Sequence, residues 1–176
     1  PRLDPMPADR PLTLRSARTQ DVPVIQALVE PLARERVLLQ KEAVAYYEAI
    51  QEFVVAEEAD GTLAGFGALH VMWQDIAEVR TLAVSEAHRG AGVGHLVIEE
   101  LLDRARAVGV ERVFCLTFEV EFFRRHGFEV MADQSAVDPE VYAELLRSTD
   151  EGVAEFLDLA RVKPNTLGNT RMIRRL

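Results

Sequence analysis

The six residues at positions 89–94, Arg-Gly-Ala-Gly-Val-Gly, combine a cation with three glycines between a predicted strand and a predicted helix. Residues 79–84 predict the strand, and residues 95–105 keep the apolar spacing of an amphipathic helix. A helix that opens on a glycine loop presents free backbone N–H groups and a positive dipole end to an anion. Glycine lets the backbone approach a phosphate closely, and Arg89 adds a formal positive charge. The loop therefore predicts a phosphorylated cofactor.

Two common nucleotide-binding motifs do not fit this loop. A dinucleotide fingerprint requires G-x-G-x-x-G, and its third glycine would fall on His95 or Val97 in the two possible registers. A Walker loop requires Gly-Lys followed by Ser or Thr, which the loop does not contain. An ordinary glycine-rich turn between a strand and a helix is the structural alternative.

Glu78 and Arg80 stand just before the loop, at the start of the same predicted strand. Because they are two residues apart, their side chains point to one face of the sheet. A carboxylate there can attract an ammonium group and pass a proton through water, and a guanidinium can bind a carboxylate as a fork. The alternative is a surface ion pair that contributes little to stability.

The elements around these residues predict an α+β fold, a mixed sheet covered by helices. Thr19 is expected to cap the first helix, Asp60-Gly61 to turn a hairpin, and Gly109 to end the long helix. Hairpins early in the chain and crossover helices later are typical of this class. Strands are predicted over residues 12–15, 53–56, 63–71, 79–84, 112–117, 128–130 and 170–175, and helices after residue 19 and over residues 41–50, 95–108, 121–126 and 139–147.

The composition excludes several classes of protein. With 176 residues, the chain predicts one domain over residues 12–176 after a flexible lead-in of residues 1–11. No apolar run approaches the roughly 20 residues that a membrane span needs. The net charge of −9 argues against a nucleic-acid partner. The single cysteine, Cys115, excludes an internal disulfide and favours the reducing cytoplasm.

The Arg-x-x-Gly-x-Gly loop and the later run Phe122-Phe123-Arg124-Arg125-His126-Gly127-Phe128 resemble the two signatures of GNAT-superfamily N-acetyltransferases, over roughly residues 12–130. The resemblance implies a GNAT fold, whose central strands splay apart to admit the pantetheine arm of acetyl-CoA. It also implies that backbone groups of Leu82, Ala83 and Val84 hold the thioester. The pyrophosphate would then lie on the loop, with contacts from Arg89, Gly90, Ala91, Gly92, Val93, Gly94 and His95.

Acetyl transfer to an amine requires two proton movements. An ammonium cannot attack until it loses a proton, and the departing thiolate benefits from an acid. Glu78 is the candidate base. Many GNAT enzymes place a tyrosine where this chain has Phe123, which has no proton to give. Thr117 is the candidate hydroxyl near the sulfur, unless it only serves the sheet as a β-branched residue.

Further segments resemble the acetyltransferase domain of N-acetylglutamate synthase, in its short stand-alone form: residues 30–32, 37–41, 77–84, 113–117 and 162–172. The resemblance implies that L-glutamate or L-glutamine is the acceptor, attacked directly in a ternary complex in the first step of arginine biosynthesis. Such a substrate needs a basic partner for its α-carboxylate. Lys41 and Arg80 are the candidates, with Asn169 and Thr170 as supporting polar groups.

Two alternatives remain open at this stage. One is a GNAT enzyme for another small amine or a protein N-terminus. The other is a non-catalytic acetyl-CoA sensor, which the joint presence of Glu78, Arg80 and Thr117 disfavours. We expect no metal, because the histidines show no ligand spacing, and no nucleic-acid or membrane partner. A cytoplasmic homodimer is expected, since dimers are common in this superfamily.

Overall fold

The computed structural model describes residues 11–35, 38, 41–132, 137–157 and 169–176. The predicted lead-in, apart from Pro11, and most of the segment 162–172 lie outside the described residues. The helices and strands follow the predicted order up to β6. They are β1 (Thr13–Ser16), α1 (Val22–Arg34), α2 (Ala43–Glu48), β2 (Phe53–Glu57), β3 (Leu63–Trp73), β4 (Ile76–Val84), α3 (Val93–Val108), β5 (Arg112–Thr117), α4 (Val120–Arg125), β6 (Glu129–Val130), α5 (Pro139–Leu145), α6 (Glu151–Phe156) and β7 (Thr170–Arg175).

The strands form one seven-stranded mixed sheet in the order β1-β2-β3-β4-β5-β7-β6, and among these described strands only β4 and β5 pair in parallel. That parallel pairing runs from Ile76 opposite Arg112 to Glu78 opposite Phe114. Beyond it, β4 continues to Val84 and β5 to Thr117, with no further ladder between these fully described strands. The predicted α+β class with a mixed sheet and the splayed central strands are thus confirmed, and Glu78 lies where the two strands separate.

A β-bulge follows Glu78 on β4. The register with β3 shifts between Phe66 and Ala68, which pair with Ala83 and Arg80. Within the shift, Thr81 has a φ of 55°, a left-handed conformation that is costly for a β-branched residue. Bulges bend a strand and increase its twist. This bulge separates the residues expected to hold the thioester from the charged residues before them.

Alternation along the strands assigns the helices to two faces of the sheet. On β2, Val54 packs into the cluster around α3, whereas Val55 packs into the cluster around α1 and α2. On β5, Val113 faces the α3 cluster and Phe114 faces a third cluster, which contains residues of α5 and α6. Helix α3 therefore covers one face, and the other face carries α1 with α2 and, beside them, α5 with α6.

Two local features differ from the sequence expectations. Thr19 does not cap α1, because residues Thr19–Asp21 form a 3-10 turn and Asp21 is the N-cap residue. The Asp21 carboxylate accepts hydrogen bonds from the backbone N–H of Arg18 at 2.6 Å and from the Arg15 guanidinium at 2.7 and 2.9 Å. Helix α6 was not predicted. Its N-cap residue, Asp150, is one of the charged residues of the site described next.

Candidate active site

Glu78 and Arg80 form a buried ion pair, which differs from the surface pair considered as an alternative. Alternate residues Ala77 and Val79 of β4 pack against α3, so Glu78 and Arg80 face the opposite side, between α1–α2 and α5–α6. Glu78 is 8% exposed, and its Oε2 accepts hydrogen bonds from Arg80 Nε at 3.1 Å and Nη2 at 2.5 Å. Burial raises the pKa of Glu78, and the charge of Arg80 offsets this only in part.

Asp150 joins this pair from 70 residues away and was missed by the sequence analysis. Its carboxylate accepts hydrogen bonds from Arg80 Nη1 at 3.0 Å and Nη2 at 2.9 Å. Its Oδ1 also caps α6 by accepting from the N–H groups of Gly152 and Val153. Burial alone would raise the pKa of Asp150, but the hydrogen bonds and charge of Arg80 lower it from 3.8 to about 2. A capping aspartate before an acidic first turn was the available sequence signal.

Gly152 allows α6 to approach the ion pair. A Cβ at this position would overlap the Glu78 carboxylate and lie 2.7 Å from Arg80 Nη2. Any side chain here would have to displace one of the charged groups. The glycine is therefore required by close packing of α6 on β4.

The guanidinium of Arg80 is almost saturated by these two carboxylates. It has five N–H donors. The contacts with Glu78 use Nε and one N–H of Nη2, and the contacts with Asp150 use the other N–H of Nη2 and one of Nη1. One donor, on Nη1, is left by these bonds. Arg80 thus cannot bind a further carboxylate through two hydrogen bonds while Asp150 stays in place.

Lys41, Glu52 and His70 surround the ion pair. Burial lowers the pKa of Lys41, and the positive charge of Arg80 lowers it further. His70 was not among the predicted site residues. On β3 it lies opposite Glu78, its Nδ1 is 2.6 Å from Glu52 Oε1, and its Nε2 is 3.6 Å from an oxygen of Asp150. Only the hairpin register could have revealed this neighbour.

A cavity of about 330 Å³ lies between α1 and α2, and Lys41 is part of its wall. Gln26, Glu30 and Tyr46 contribute further polar groups to the lining. Tyr46 is 2% exposed, and its hydroxyl has no hydrogen-bond partner among the described residues. A buried hydroxyl without a partner costs free energy.

The glycine loop has the backbone geometry of an anion site. Gly90 and Gly92 both have a φ of 78°, and Gly92 is the N-cap residue of α3. The first intrahelical hydrogen bond runs from Leu96 N to Gly92 O at 3.2 Å. The N–H groups of residues 93–95 therefore precede the helical ladder and can bind a ligand. Arg89 is exposed beside them.

The remaining predicted residues lie on β4, β5 and β7. Leu82, Ala83 and Val84 form the end of β4, where Leu82 lies in the bulge and Ala83 and Val84 follow it. Thr117 ends β5, where its Oγ1 accepts a hydrogen bond from the Glu119 N–H at 2.8 Å. Thr170 pairs with Thr117 across β5 and β7, and Asn169 precedes it. Of the predicted polar residues, Lys41, Glu78 and Arg80 form one charged cluster, whereas Thr117 and Thr170 are neighbours at the end of β5.

Comparison with known proteins identifies the family. The model of the acetyltransferase (GNAT) family matches residues 24–128, more than half of the chain. The chain belongs to the GNAT acetyltransferase family. It is an acetyl-CoA-dependent acetyltransferase, as the resemblance to the GNAT superfamily implied.

Relatives of this acetyltransferase include both short and long proteins. An amino-acid acetyltransferase of Mycobacterium tuberculosis is 52% identical over 169 residues, which cover 95% of this chain and 96% of the relative. An amino-acid acetyltransferase of Neisseria meningitidis serogroup A is 32% identical over 124 residues, but these cover only 28% of its length. The resemblance to the short stand-alone form is thus confirmed.

Solved structures extend the comparison. One is a Mycobacterium tuberculosis protein in complex with CoA and the ligand NLQ, which superposes with a TM-score of 0.87 at 52% identity. The match covers 93% of this chain and 99% of the Mycobacterium chain. N-acetylglutamate synthase from Neisseria gonorrhoeae, complexed with coenzyme A and N-acetyl-glutamate, gives a TM-score of 0.73 at 26% identity, over 94% of this chain and 35% of that one. No helix among the described residues of the GNAT acetyltransferase is long and apolar enough to cross a membrane.

Proposed function

We propose that this acetyltransferase transfers the acetyl group of acetyl-CoA to the α-amine of L-glutamate or L-glutamine, the first step of arginine biosynthesis. The observation that carries the proposal is the buried Glu78 at the separation of β4 and β5, with Lys41 and Arg80 beside it. The same substrate class is supported by two relatives that are amino-acid acetyltransferases. It is also supported by the solved relatives that contain NLQ or N-acetyl-glutamate.

Acetyl-CoA would bind along the loop and enter between the splayed strands. The N–H groups of Val93, Gly94 and His95 would contact the pyrophosphate, with Arg89 adding charge and Gly90, Ala91 and Gly92 leaving room for the backbone approach. The pantetheine arm would follow β4. Backbone groups of Leu82, Ala83 and Val84 would hold the thioester, and an N–H among them would stabilise the oxyanion of the tetrahedral intermediate.

Glu78 would accept the proton of the substrate ammonium, directly or through water. A general base works best when its pKa lies nearer to the working pH than that of an ordinary carboxyl group. Burial raises the pKa of Glu78 in this direction, and Arg80 fixes one of its oxygens. The second oxygen can then face the amine. His70, which is 3.6 Å from Asp150, is placed to tune the charge of the same cluster.

The substrate's α-carboxylate would bind Lys41. No ion pair to Lys41 occurs among the residues that the structure describes, whereas the fork of Arg80 is held by Glu78 and Asp150. A bound carboxylate would offset the burial that disfavours the charged form of Lys41. Arg80 would add its remaining N–H and orient Glu78. Asn169 and Thr170 stay in this proposal as supporting polar groups.

The thiolate would leave with help from Thr117, and no acyl-enzyme would form. The Thr117 hydroxyl accepts a backbone hydrogen bond, so its own proton can still be donated to sulfur. Cys115 is the single cysteine of the chain. It is 1% exposed, and burial raises the pKa of its thiol well above the ordinary range. A protonated, inaccessible thiol cannot serve as an acyl carrier, which supports direct attack by the amine.

The decisive experiment offers acetyl-CoA with a panel of acceptors and follows release of free thiol. L-Glutamate and L-glutamine should be turned over, with the N-acetyl products identified by mass spectrometry. γ-Aminobutyrate, which lacks the α-carboxylate, should not react, and glutarate, which lacks the amine, should compete with the amino acid. Cys115→Ala should retain activity. Turnover of peptides or other amines alone would refute the proposed substrate.

Lys41→Gln tests carboxylate recognition within the same assay. Loss of a charge-assisted contact of roughly 1.5–3 kcal/mol should raise the amino-acid KM by about tenfold or more, while the KM for acetyl-CoA stays unchanged. Arg106→Gln, on the exposed end of α3 and paired only with Asp103 among the described residues, is the matched control. Equal amino-acid KM values for the two variants would exclude Lys41 from the site. The homodimer and the cytoplasmic location remain predictions.

A further inference from the structure

Three side chains that suit a metal ion meet at the start of α3, although no metal-ligand spacing was found along the chain. His95 and Glu99 are one helical turn apart on α3, and His126 follows α4. One ligand atom from each of the three residues lies within 4.8 Å of the other two. Because His126 lies at the end of a different helix, only the folded chain brings the three side chains together.

Hydrogen bonds fix the orientation of the His126 ring. Its Nδ1 is 2.8 Å from the carbonyl oxygen of Phe122, so Nδ1 carries the hydrogen and Nε2 keeps its lone pair. The Phe122 ring also packs against it, with 4.6 Å between ring centroids. Histidine ligands of metals commonly show this arrangement, in which the outer nitrogen donates to a carbonyl and the inner one binds the ion.

The lone pair of His126 is directed at His95. His126 Nε2 lies 2.9 Å from His95 Nδ1, which must therefore carry the shared hydrogen in the metal-free pair. A cation can replace that hydrogen if the His95 proton moves to Nε2, a change of tautomer that releases no net proton. Two nitrogens bound to zinc are roughly 3.4 Å apart, since each Zn–N bond is about 2.0–2.1 Å. Because the His95 ring is exposed, it can rotate to widen the 2.9 Å between the two nitrogens to the separation that zinc needs.

We propose that His95 Nδ1, His126 Nε2 and a carboxylate oxygen of Glu99 bind a borderline divalent cation such as Zn²⁺. Two imidazoles and one carboxylate form a ligand set that zinc accepts, and water can complete the coordination. The ion joins the first turn of α3 to the end of α4. The proposal does not depend on the acetyl acceptor, because none of its ligands belongs to the cluster around Glu78.

Zinc binding to tag-free protein, freed of metal with a chelator, tests the site. Competition with a chromophoric chelator should give one ion per chain with a micromolar or lower Kd. Glu99→Gln and His126→Gln should each weaken binding by about tenfold or more, because each removes one of three ligands. The controls are Glu100→Gln, whose side chain pairs with Arg104, and His88→Gln, whose ring contacts Ser85 and Glu58. Both controls should bind as the parent does.

Thermal unfolding supplies an independent measurement. Zn²⁺ should raise the Tm of the parent and of both controls, since it binds the folded pair of helices, and should leave the Tm of Glu99→Gln nearly unchanged. Glu99 lies on the helix surface, so its variant keeps the test valid even if His126→Gln folds poorly. Failure to bind one ion, or equal binding by the parent and both ligand variants, would overturn the proposal.

Discussion

Glu78 is a buried carboxyl whose two neighbours act on it in opposite directions. Arg80 stabilises its charged form, while burial and the charge of Asp150 stabilise the neutral form. The balance raises the pKa of Glu78 above the usual value of about 4.3. The carboxylate that would take the substrate proton therefore forms only above that raised pKa, and the proposed activity should fall as the pH drops through it.

Glu78→Gln should lower kcat by about 10²-fold or more, the usual contribution of a general base. The amide has the same size, and Arg80 keeps Asp150 as a partner, so the fold and the KM for acetyl-CoA should not change. The acidic limb of the pH profile should disappear with the carboxyl group. Steady-state kinetics across pH make the measurement, with Glu48→Gln on the exposed side of α2 as control. A variant with the parental kcat would remove Glu78 from the mechanism.

Tyr46→Phe should change stability and activity in opposite directions. Removing a buried hydroxyl that has no partner among the described residues should stabilise the fold by about 1 kcal/mol in urea unfolding. If the hydroxyl contacts the amino-acid substrate, the KM for that substrate should rise by about threefold to tenfold. The exposed neighbour Tyr47→Phe is the matched control. An unchanged KM in Tyr46→Phe would place the substrate outside the cavity between α1 and α2.

At the scale of elements, the helices and strands with strong periodicity were predictable. β5 and β7 have the predicted bounds, and α3 begins at Val93, two residues before the predicted start, because the loop glycines cap it. Helix α6 escaped prediction because Gly152 in its first turn lowers the intrinsic helix propensity of its six residues. The bulge at Thr81 escaped it because nothing local marks a β-branched residue for a positive φ.

Residue spacing predicted the candidate site only where its residues share one element, and Lys41 entered the prediction through the family resemblance. Glu78 and Arg80 were paired by their spacing on β4. Asp150 and His70 reach the same point through tertiary packing and strand register, which no local pattern records. The sequence also could not show that Glu78 and Asp150 together occupy most N–H donors of Arg80. The glycine loop and the helix that it opens were easier to predict, because the two are contiguous in sequence.

Helix α6 should be held to the sheet by a pH-dependent ion pair. The pKa of Asp150 is lowered to about 2, so its contribution is present above about pH 4 and is lost as the pH falls toward 2. The shift corresponds to about 2 kcal/mol. Asp150→Asn keeps the helix cap, because asparagine caps as well as aspartate, and removes only the charge.

Urea unfolding should therefore show the parent about 2 kcal/mol more stable than Asp150→Asn at pH 7 and pH 5, with a smaller gap at pH 3. Asp138→Asn, at the exposed cap of α5, should show no such pH-dependent gap. A gap for Asp150→Asn that stays constant from pH 7 to pH 3 would mean that packing, and not the ion pair, holds α6.

At the scale of the whole molecule, the charged cluster lies where separately packed parts of the fold meet. β4 brings Glu78 and Arg80, the residues just before α2 bring Lys41, and the N-cap of α6 brings Asp150. Helices α1 and α2 pack in one apolar cluster, and α5 and α6 pack in another on the same face of the sheet. The geometry of the site thus depends on how firmly each cluster seats its helices on the sheet.

Phe156→Leu should loosen the site from a distance. Phe156 is 1% exposed and packs edge-on against Phe114, with 5.6 Å between the ring centroids. This contact packs α6 against β5. The substitution should cost about 1–2 kcal/mol of unfolding free energy. It should also raise the amino-acid KM, because α6 carries Asp150 against Arg80. Leu102→Val in the α3 cluster should cost about 1 kcal/mol and leave that KM unchanged.

The comparison is made at a temperature where both variants remain folded, so that loss of native protein does not enter the kinetics. Unfolding in urea gives the two stability changes, and initial rates give the two KM values. If the proposed coupling exists, similar losses of stability will have different effects on substrate binding, depending on which cluster was altered. Equal KM values in the two variants would show that the position of α6 does not control the site.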